Sequence, residues 1–261
     1  MHLKVAITTL ASHHNRSTRA VTWLAALFIC CSGLSASPVH AAGETTGQQA
    51  TTLINDVIAA YGGKAALARI TSVYTVGAIE AFMRGDRGVS TRYFKRPRKL
   101  RVELVYLKSS ETRILNGFRG WRGSSEPPRE VHGPSYLAMA YQYKYLDLPF
   151  GFLEKGYKTS YLGRDALHAT PVDILQLEDN EGTLMRVYVD VGTHLIVRVV
   201  GFFGNGAAGA ELAAEFSDFR DVEGVKLPFR VTNYSGINKI AETVTSEIRI
   251  NTEMPDTLFQ P

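Results

Sequence analysis

A two-residue alternation of apolar and polar side chains runs through most of the chain between Thr71 and Ile250, and it limits the folds open to this protein. Short turns interrupt the alternation, for example Asn180-Glu181-Gly182 and Val191-Gly192-Thr193. Turns of about two to five residues join antiparallel neighbours, because a parallel connection needs a long crossover. The pattern therefore predicts a mainly β protein with helices (α+β), in which about eleven antiparallel strands form one strongly curved sheet or unclosed β-barrel.

An amphipathic helix is predicted before the first strand, beginning at Gln49. It has a single apolar stripe, formed by Leu53, Ile54, Val57, Ile58 and Tyr61. Gly62-Gly63 then ends the helix, since glycine adopts the left-handed cap conformation at little cost. We expect this helix to lay its stripe on the sheet.

A second helical segment interrupts the strands between Glu130 and Gly156. Pro134 suits a first helical turn, and the apolar residues that follow have helical spacing: Tyr136, Leu137, Met139, Ala140, Tyr143 and Leu146. The loop from Asp147 to Leu153 is apolar and contains proline and glycine. Such an insertion either covers one face of the sheet or forms a mobile lid over a cavity, which requires a sheet curved enough to enclose one.

The N-terminal stretch has the order of a secretory signal peptide. A basic start without acidic residues precedes an apolar run from Val21 to Cys31, which is too short to span a membrane. Val39-His40-Ala41 follows as a cleavage site. The alternative is an uncleaved anchor. The pattern predicts a signal peptide at residues 1–41, a flexible leader at 42–48 and a single folded domain at 49–261.

Removal of the signal peptide changes the charge and the cysteine content. Both cysteines, Cys30 and Cys31, leave with it, so the mature chain has no disulfide. The peptide also carries three of the 29 basic residues, which leaves 26 against 25 acidic residues. This balance gives no electrostatic case for nucleic acid binding.

Motifs for catalysis or metal binding are missing from the sequence. The three histidines beyond the signal peptide, His132, His168 and His194, are widely separated, and a metal site needs ligands at short spacing. There is no G-x-S-x-G and no H-E-x-x-H. The sequence predicts no catalytic residue, no metal and no cofactor, although a pair of carboxylates meeting across the sheet is not excluded by spacing.

One stretch resembles a known family. It is the basic strand Lys95-Arg96-Pro97-Arg98-Lys99-Leu100-Arg101-Val102 and the hairpin Asn116-Gly117-Phe118-Arg119-Gly120-Trp121. This pair is similar to the R-P strand and the glycine-tryptophan hairpin of the periplasmic outer-membrane lipoprotein carriers (LolA/LolB type). The resemblance covers most of residues 50–250. It implies a lipoprotein-carrier-like domain at 49–261, with an unclosed antiparallel barrel under a helical lid.

The resemblance also implies roles for single residues. Arg96 stands where the carriers have an arginine that bonds to the backbone of the lid and holds the empty cavity shut, and a guanidinium with five donors suits the carbonyl groups of a loop. The alternative for Arg96 is a rim residue facing water. The predicted structural residues of the hairpin are Asn116, Gly117 and Trp121. The predicted cavity-lining residues are Leu100, Tyr136, Leu137, Met139, Phe150 and Phe152. The rest of the basic run, Arg98, Lys99 and Arg101, is expected to face solvent.

The leading hypothesis from the sequence is therefore a periplasmic, non-enzymatic and monomeric carrier. It would bind a lipid-modified protein or a lipid, with acyl chains on the concave face of the sheet under a movable lid. A membrane protein of the inner or outer membrane is a possible partner. The alternative is a sensor or adaptor module of the same fold that binds a partner protein, and a less favoured one is an enzyme acting on a hydrophobic substrate.

Overall fold

The computed structural model describes residues 40–124, 127–154, 156–203 and 210–261. The predicted signal peptide lies outside these residues except for its last two positions. The helices are α1 His40–Ala60, α2 Lys64–Ala68 and α3 Gly133–Asp147. The strands are β1 Ser72–Ala81, β2 Asp86–Lys95, β3 Lys99–Tyr106, β4 Ser110–Asn116, β5 Arg119–Gly123, β6 Arg129–Val131, β7 Tyr157–Leu167, β8 Thr170–Asp179, β9 Leu184–Asp190, β10 Ile196–Phe203, β11 Ala210–Val222, β12 Val225–Ser235 and β13 Asn238–Ile250.

The strands of the described residues form one antiparallel sheet in the order β6-β5-β4-β3-β2-β1-β13-β12-β11-β10-β9-β8-β7. The sheet is unclosed, because its edge strands β6 and β7 do not pair with each other. The prediction of an unclosed antiparallel sheet is confirmed, with thirteen strands instead of about eleven. The alternation missed β6, because three residues are too few to show a period of two.

One face of the sheet, the inner face, carries the main hydrophobic core. Directly paired residues form rows across it, and the first row runs from Val73 through Phe94 and Leu100 to Leu115. All four side chains are buried. Because neighbouring side chains of a strand point to opposite faces, this row fixes which residues of β1 to β4 face inward.

Helix α1 begins earlier than the sequence predicts. It starts at His40, so residues 42–48, predicted as a flexible leader, are helical. These residues lack an apolar stripe, which is why periodicity did not include them. From Thr45 on, where burial is described, Ala50 is the first fully buried residue of the helix. None of the helices in the described ranges has the length and apolarity needed to cross a lipid bilayer.

Just after α1 the chain is fixed to the sheet by two hydrogen bonds to Tyr61. Tyr61, just after the helix, accepts a hydrogen bond from the backbone N–H of Ile196 on its hydroxyl and one from Lys226 on its carbonyl oxygen. Gly62 follows with φ +117°, and a Cβ there would lie 2.1 Å from the carbonyl oxygen of Gly224. Only glycine fits this close approach.

The C-terminal segment covers part of the opposite, outer face. Phe259 and Met254 are buried there against Ile114 and Trp121 in a second, smaller hydrophobic cluster. The amide of Asn116 donates to the carbonyl oxygen of Phe259 at 3.3 Å.

Two residues of the basic run hold this segment, so the prediction that they face solvent is wrong. Lys99 forms an ion pair with Asp256 at 2.7 Å. Arg101 donates to the carbonyl oxygen of Leu258 at 3.3 Å. Alternation gives Lys99 and Arg101 the face of β3 opposite to Leu100, but it does not show that the distant C-terminus packs on that face.

Candidate functional site

Helix α3 joins β6 to β7 and so connects the two edges of the sheet across its inner face. Two cavities lie between α3 and this face, one of about 60 Å³ and one of about 290 Å³. Arg92, Tyr145 and Val231 line both cavities. The cavities are therefore neighbours, and these three residues stand at their boundary.

The smaller cavity is mostly apolar, apart from Arg92, Thr75, Tyr61 and Tyr145 at its wall. Its lining includes Val73, Phe94, Leu146, Leu148, Phe150 and Ile248. Leu148 and Phe150 belong to the loop after α3, so this loop covers the cavity on one side. Val73 and Phe94 of the first row line it on the side of the sheet. This is a surface suited to hydrocarbon.

The sheet accommodates α3 with small residues opposite its large ones. A Cβ on Gly201 would lie 2.5 Å from the ring of Tyr141, and one on Gly120 would lie 2.8 Å from the methyl group of Met139. The hydroxyl of Tyr141 donates to the carbonyl oxygen of Val199 at 2.8 Å. Helix α3 is thus seated on the sheet by shape and by a buried hydrogen bond.

Arg96, at the end of β2, contacts the end of α3. Its Nε lies 2.8 Å from Oδ1 of Asp147, and its Nη2 pairs with Glu154 beyond the apolar loop. Arg96 and Asp147 are only 15% and 12% exposed, whereas Glu154 is 67% exposed. Burial raises the pKa of Asp147, and the Arg96 guanidinium opposes that rise. The contact joins Arg96 to carboxylates of the segment over the cavity and not to its backbone.

Arg98 makes a second contact with the same segment, so its predicted exposure to solvent is also wrong. Its guanidinium pairs with Glu181 and donates to the carbonyl oxygen of Gly117 at 3.1 Å. Its backbone N–H donates to the hydroxyl of Tyr143 at 2.8 Å. Burial raises the pKa of Tyr143, so this phenol stays neutral.

The predicted cavity-lining residues have several different environments. Phe150 lines the smaller cavity and Met139 the larger one. Leu100 is buried in the first row of the inner face, and Tyr136 and Phe152 pack against the same core without lining either cavity.

Leu137 is the exposed member of the predicted set. It is 40% exposed and lines neither cavity. It lies two positions before Met139, a rotation of about 200° around the helix, and so points away from the sheet.

The hairpin residues lie away from both cavities. Gly117 has φ +59° at the turn between β4 and β5. Trp121 is buried in the outer-face cluster, with the guanidinium of Arg119 4.9 Å from its ring centre.

The second row of the inner face carries charge that the sequence did not reveal. It runs from Thr75 through Arg92, Val102 and Arg113 to Arg122. All three arginines line the larger cavity, and we call them the arginine row. In the sequence, arginines alternating with apolar residues are typical of a solvent-facing strand surface, so only the strand register shows that they point inward.

Glu111 is the carboxylate associated with this row. It is 5% exposed and accepts from Arg84, Arg113 and Arg122 at distances up to 3.1 Å. Burial alone would raise the pKa of Glu111, but Arg113 and Arg122 outweigh it and hold the pKa at about 2.

The low pKa of Glu111 predicts a pH-dependent contribution to stability. A folded pKa below the ordinary value of 4.5 means that the contribution is complete above pH 4.5 and is lost as the pH falls toward 2. Glu111→Gln should lower the free energy of unfolding by about 2 to 3 kcal/mol at pH 7. The difference from wild type should shrink in urea unfolding near pH 3. Glu130→Gln is the control, because it removes an exposed partner of Arg119. If the loss of unfolding free energy in Glu111→Gln did not change with pH, the low pKa of Glu111 would be contradicted.

The described lining of the two cavities contains no carboxylate and no histidine. Within the described ranges, no three His, Cys, Asp or Glu side chains are placed to hold a metal ion. His168 and His194 lie in turns with positive φ, and His132 immediately precedes α3.

Comparisons with known proteins agree on the fold. No protein-family model matches the sequence, and no curated protein matches it. Among solved structures, a domain described as outer membrane lipoprotein-sorting from Vibrio parahaemolyticus aligns with a TM-score of 0.53 at 12% identity, over 82% of this chain and 97% of that one.

Two further structures align to a similar extent. A LolA superfamily protein from Nitrosomonas europaea has a TM-score of 0.53 at 11% identity, covering 81% of this chain and 97% of that one. A DUF1329 family protein from Desulfovibrio piger has a TM-score of 0.52 at 13% identity, with the same coverages. At these identities the likeness concerns the fold alone, and the chain has the LolA-like fold of lipoprotein-sorting proteins.

Proposed function

We propose that this chain, which has the LolA-like fold, is a non-enzymatic periplasmic carrier for a lipid or a lipid-modified protein. Acyl chains of the cargo lie against the inner face of the sheet, beneath α3 and the loop that follows it. The observation that carries the proposal is the pair of neighbouring cavities between the sheet and this segment. Periplasmic location is supported by the signal-peptide pattern of the N-terminal sequence.

The size of the cavities, at or below the lower end of the range for ligand pockets, favours movement of the covering segment when a long acyl chain binds. Pockets that enclose a small organic ligand measure about 300 to 1,000 Å³, and the larger cavity here measures about 290 Å³. Each CH₂ buried contributes about 0.8 kcal/mol, so a long acyl chain gains free energy by entering further. We therefore assign the segment from α3 through Leu153 as a lid that rises when cargo binds.

Arg96 acts as the latch of this lid. It ties the end of β2 to Asp147 and Glu154, which lie on either side of the loop over the smaller cavity. The ion pair with Asp147 is mostly buried, so it stabilises the closed, empty state. A contact made only in the empty state lowers the affinity for cargo, and this allows the carrier to release it.

Cargo binding is tested with native mass spectrometry and with a fluorescent probe. Protein purified from its own periplasm should carry co-purifying lipid, and the delipidated protein should bind the neutral apolar dye N-phenylnaphthylamine. Salt-sensitive binding of a partner protein without any lipid or dye would instead support the adaptor alternative.

A cavity-filling variant locates the binding site. Thr243 lines the larger cavity, opposite Ile79 and Val231 on the inner face. Thr243→Trp should weaken dye binding at least about tenfold, because the indole occupies the space of the ligand. Val244 is the next residue of the same strand, 37% exposed on the outer face, and Val244→Trp should bind dye normally. Equal binding by both variants would place the ligand elsewhere.

A further inference from the structure

Arg92 is a cation on the inner face that has no anionic partner. It lies in the middle of β2 and lines both cavities. Within the described part of the chain, no carboxylate forms an ion pair or a hydrogen bond with it, while each of its companions in the arginine row binds Glu111. The acidic group that acts on Arg92 is the phenol of Tyr145, and burial raises the pKa of that phenol, so it is neutral at physiological pH.

The guanidinium of Arg92 is open to the cavities. None of the described residues has a fully enclosed side-chain nitrogen or oxygen without a hydrogen-bond partner. Since Arg92 has no such partner, its nitrogens must be accessible, and the accessible space beside them is that of the two cavities. A charge held without a partner in a largely apolar site is costly in free energy. We therefore expect a ligand to supply the missing partner of Arg92.

The surroundings favour an anion at this position. The lining of the larger cavity contains the three guanidiniums of the arginine row and no carboxylate. The other polar side chains of this lining carry hydroxyl or amide groups: Ser90, Tyr106, Ser135, Tyr141, Gln142, Tyr145, Asn233, Tyr234 and Thr243. Glu111 is on the same face of β4 as Arg113 but does not line the cavity, and it already accepts from three arginines. The larger cavity is therefore electropositive, whereas the smaller one is hydrocarbon-like.

We propose that the cargo is an amphiphile with a carboxylate or phosphate headgroup, which sits in the larger cavity and is held by Arg92 while the acyl chain enters the smaller cavity. This inference rests on the proposed carrier function and specifies its ligand class. A guanidinium can form two parallel hydrogen bonds with either anion, and its position at the boundary lets one ligand use both cavities.

The test compares ligands that share a chain and differ in the headgroup. Laurate, lauryl phosphate and lauryl alcohol compete with N-phenylnaphthylamine for the delipidated protein. We expect at least one anion to bind tenfold or more tightly than the alcohol, and the two anions separate a carboxylate cargo from a phosphate one. Arg92→Gln should abolish this preference and leave the affinity for lauryl alcohol unchanged.

Two further variants keep the result interpretable. Arg249→Gln removes an outer-face arginine that pairs with Glu247 and should keep the preference for anions. Arg92→Lys retains the positive charge but not the planar guanidinium, and it should keep part of the preference for anions. The ligand-free Arg92→Gln protein should melt at the same temperature as wild type or higher, since an unpaired charge has been removed.

The outcomes separate this inference from the carrier function. If wild type binds the alcohol as tightly as both anions, or if Arg92→Gln keeps the preference, the anion site is refuted and the carrier function stands. If none of the three ligands and no dye binds, both proposals fail.

Discussion

The Arg96→Leu variant should retain an acyl ligand roughly 10- to 100-fold more tightly than wild type. Hydrogen bonds to charged groups contribute about 1.5 to 3 kcal/mol, and every 1.4 kcal/mol changes affinity tenfold. The substitution removes this contribution from the closed, empty state, in which Arg96 binds the mostly buried Asp147. Release of dye to acceptor vesicles, followed by stopped-flow fluorescence, measures the effect as a slower rate.

Controls for this prediction use the exposed contacts of the same region. Glu154→Gln removes the partner of Arg96 that is 67% exposed and should change release less than threefold, because exposed ion pairs contribute little. Arg119→Leu breaks an exposed pair with Glu130 on the edge strands and should leave release unchanged. A latch role would be ruled out by normal release from Arg96→Leu together with unaltered hydrogen exchange in α3.

The Lys144→Met variant should lose about 3 to 5 kcal/mol of unfolding free energy. Lys144 is 5% exposed on α3 and forms an ion pair with Asp179, which is 10% exposed at the end of β8. Its ammonium also donates to Thr183 and to Glu181. Methionine keeps the length of the side chain but leaves the buried carboxylate of Asp179 without a counter-ion, with only the backbone N–H groups of Glu181 and Thr183 donating to it. This uncompensated charge causes the loss. Urea unfolding at neutral pH measures it.

A surface substitution and a double mutant check this mechanism. Lys158→Met changes an exposed lysine of β7 and should stay within about 0.5 kcal/mol of wild type. Adding Asp179→Asn to Lys144→Met should recover part of the loss, since the unpaired charge is then gone. A loss below about 1 kcal/mol for Lys144→Met alone would show that water reaches Asp179.

Periodicity was sufficient to predict the sheet and both helical segments. Alternation between Thr71 and Ile250 predicts antiparallel strands, and the helical spacing after Pro134 predicts α3. Local pattern failed where a segment was too short or had no apolar stripe. The three-residue β6 and the start of α1 at His40 are examples.

The site was less predictable, because it depends on contacts between residues far apart in sequence. Arg96 could be singled out from the resemblance, but its partner Asp147 lies 51 residues away. The arginine row was missed entirely. Arg92, Arg113 and Arg122 come from three strands, and no count of charges along the chain shows that they share a cavity. Lys99 and Arg101 show the same limit on the outer face, since their partners belong to the C-terminal segment.

The strand order also constrains how the chain can fold. Strands β1 to β6 pair with their sequence neighbours, and so do β7 to β13. Each series can therefore form from local hairpins, which close quickly. The two series meet only where the first strand pairs with the last, with Val73 opposite Ile250. Closing so long a loop costs more conformational entropy than any hairpin. We therefore expect this seam to form late, and the rows of the inner face that cross it to be completed only after the last strand has been made.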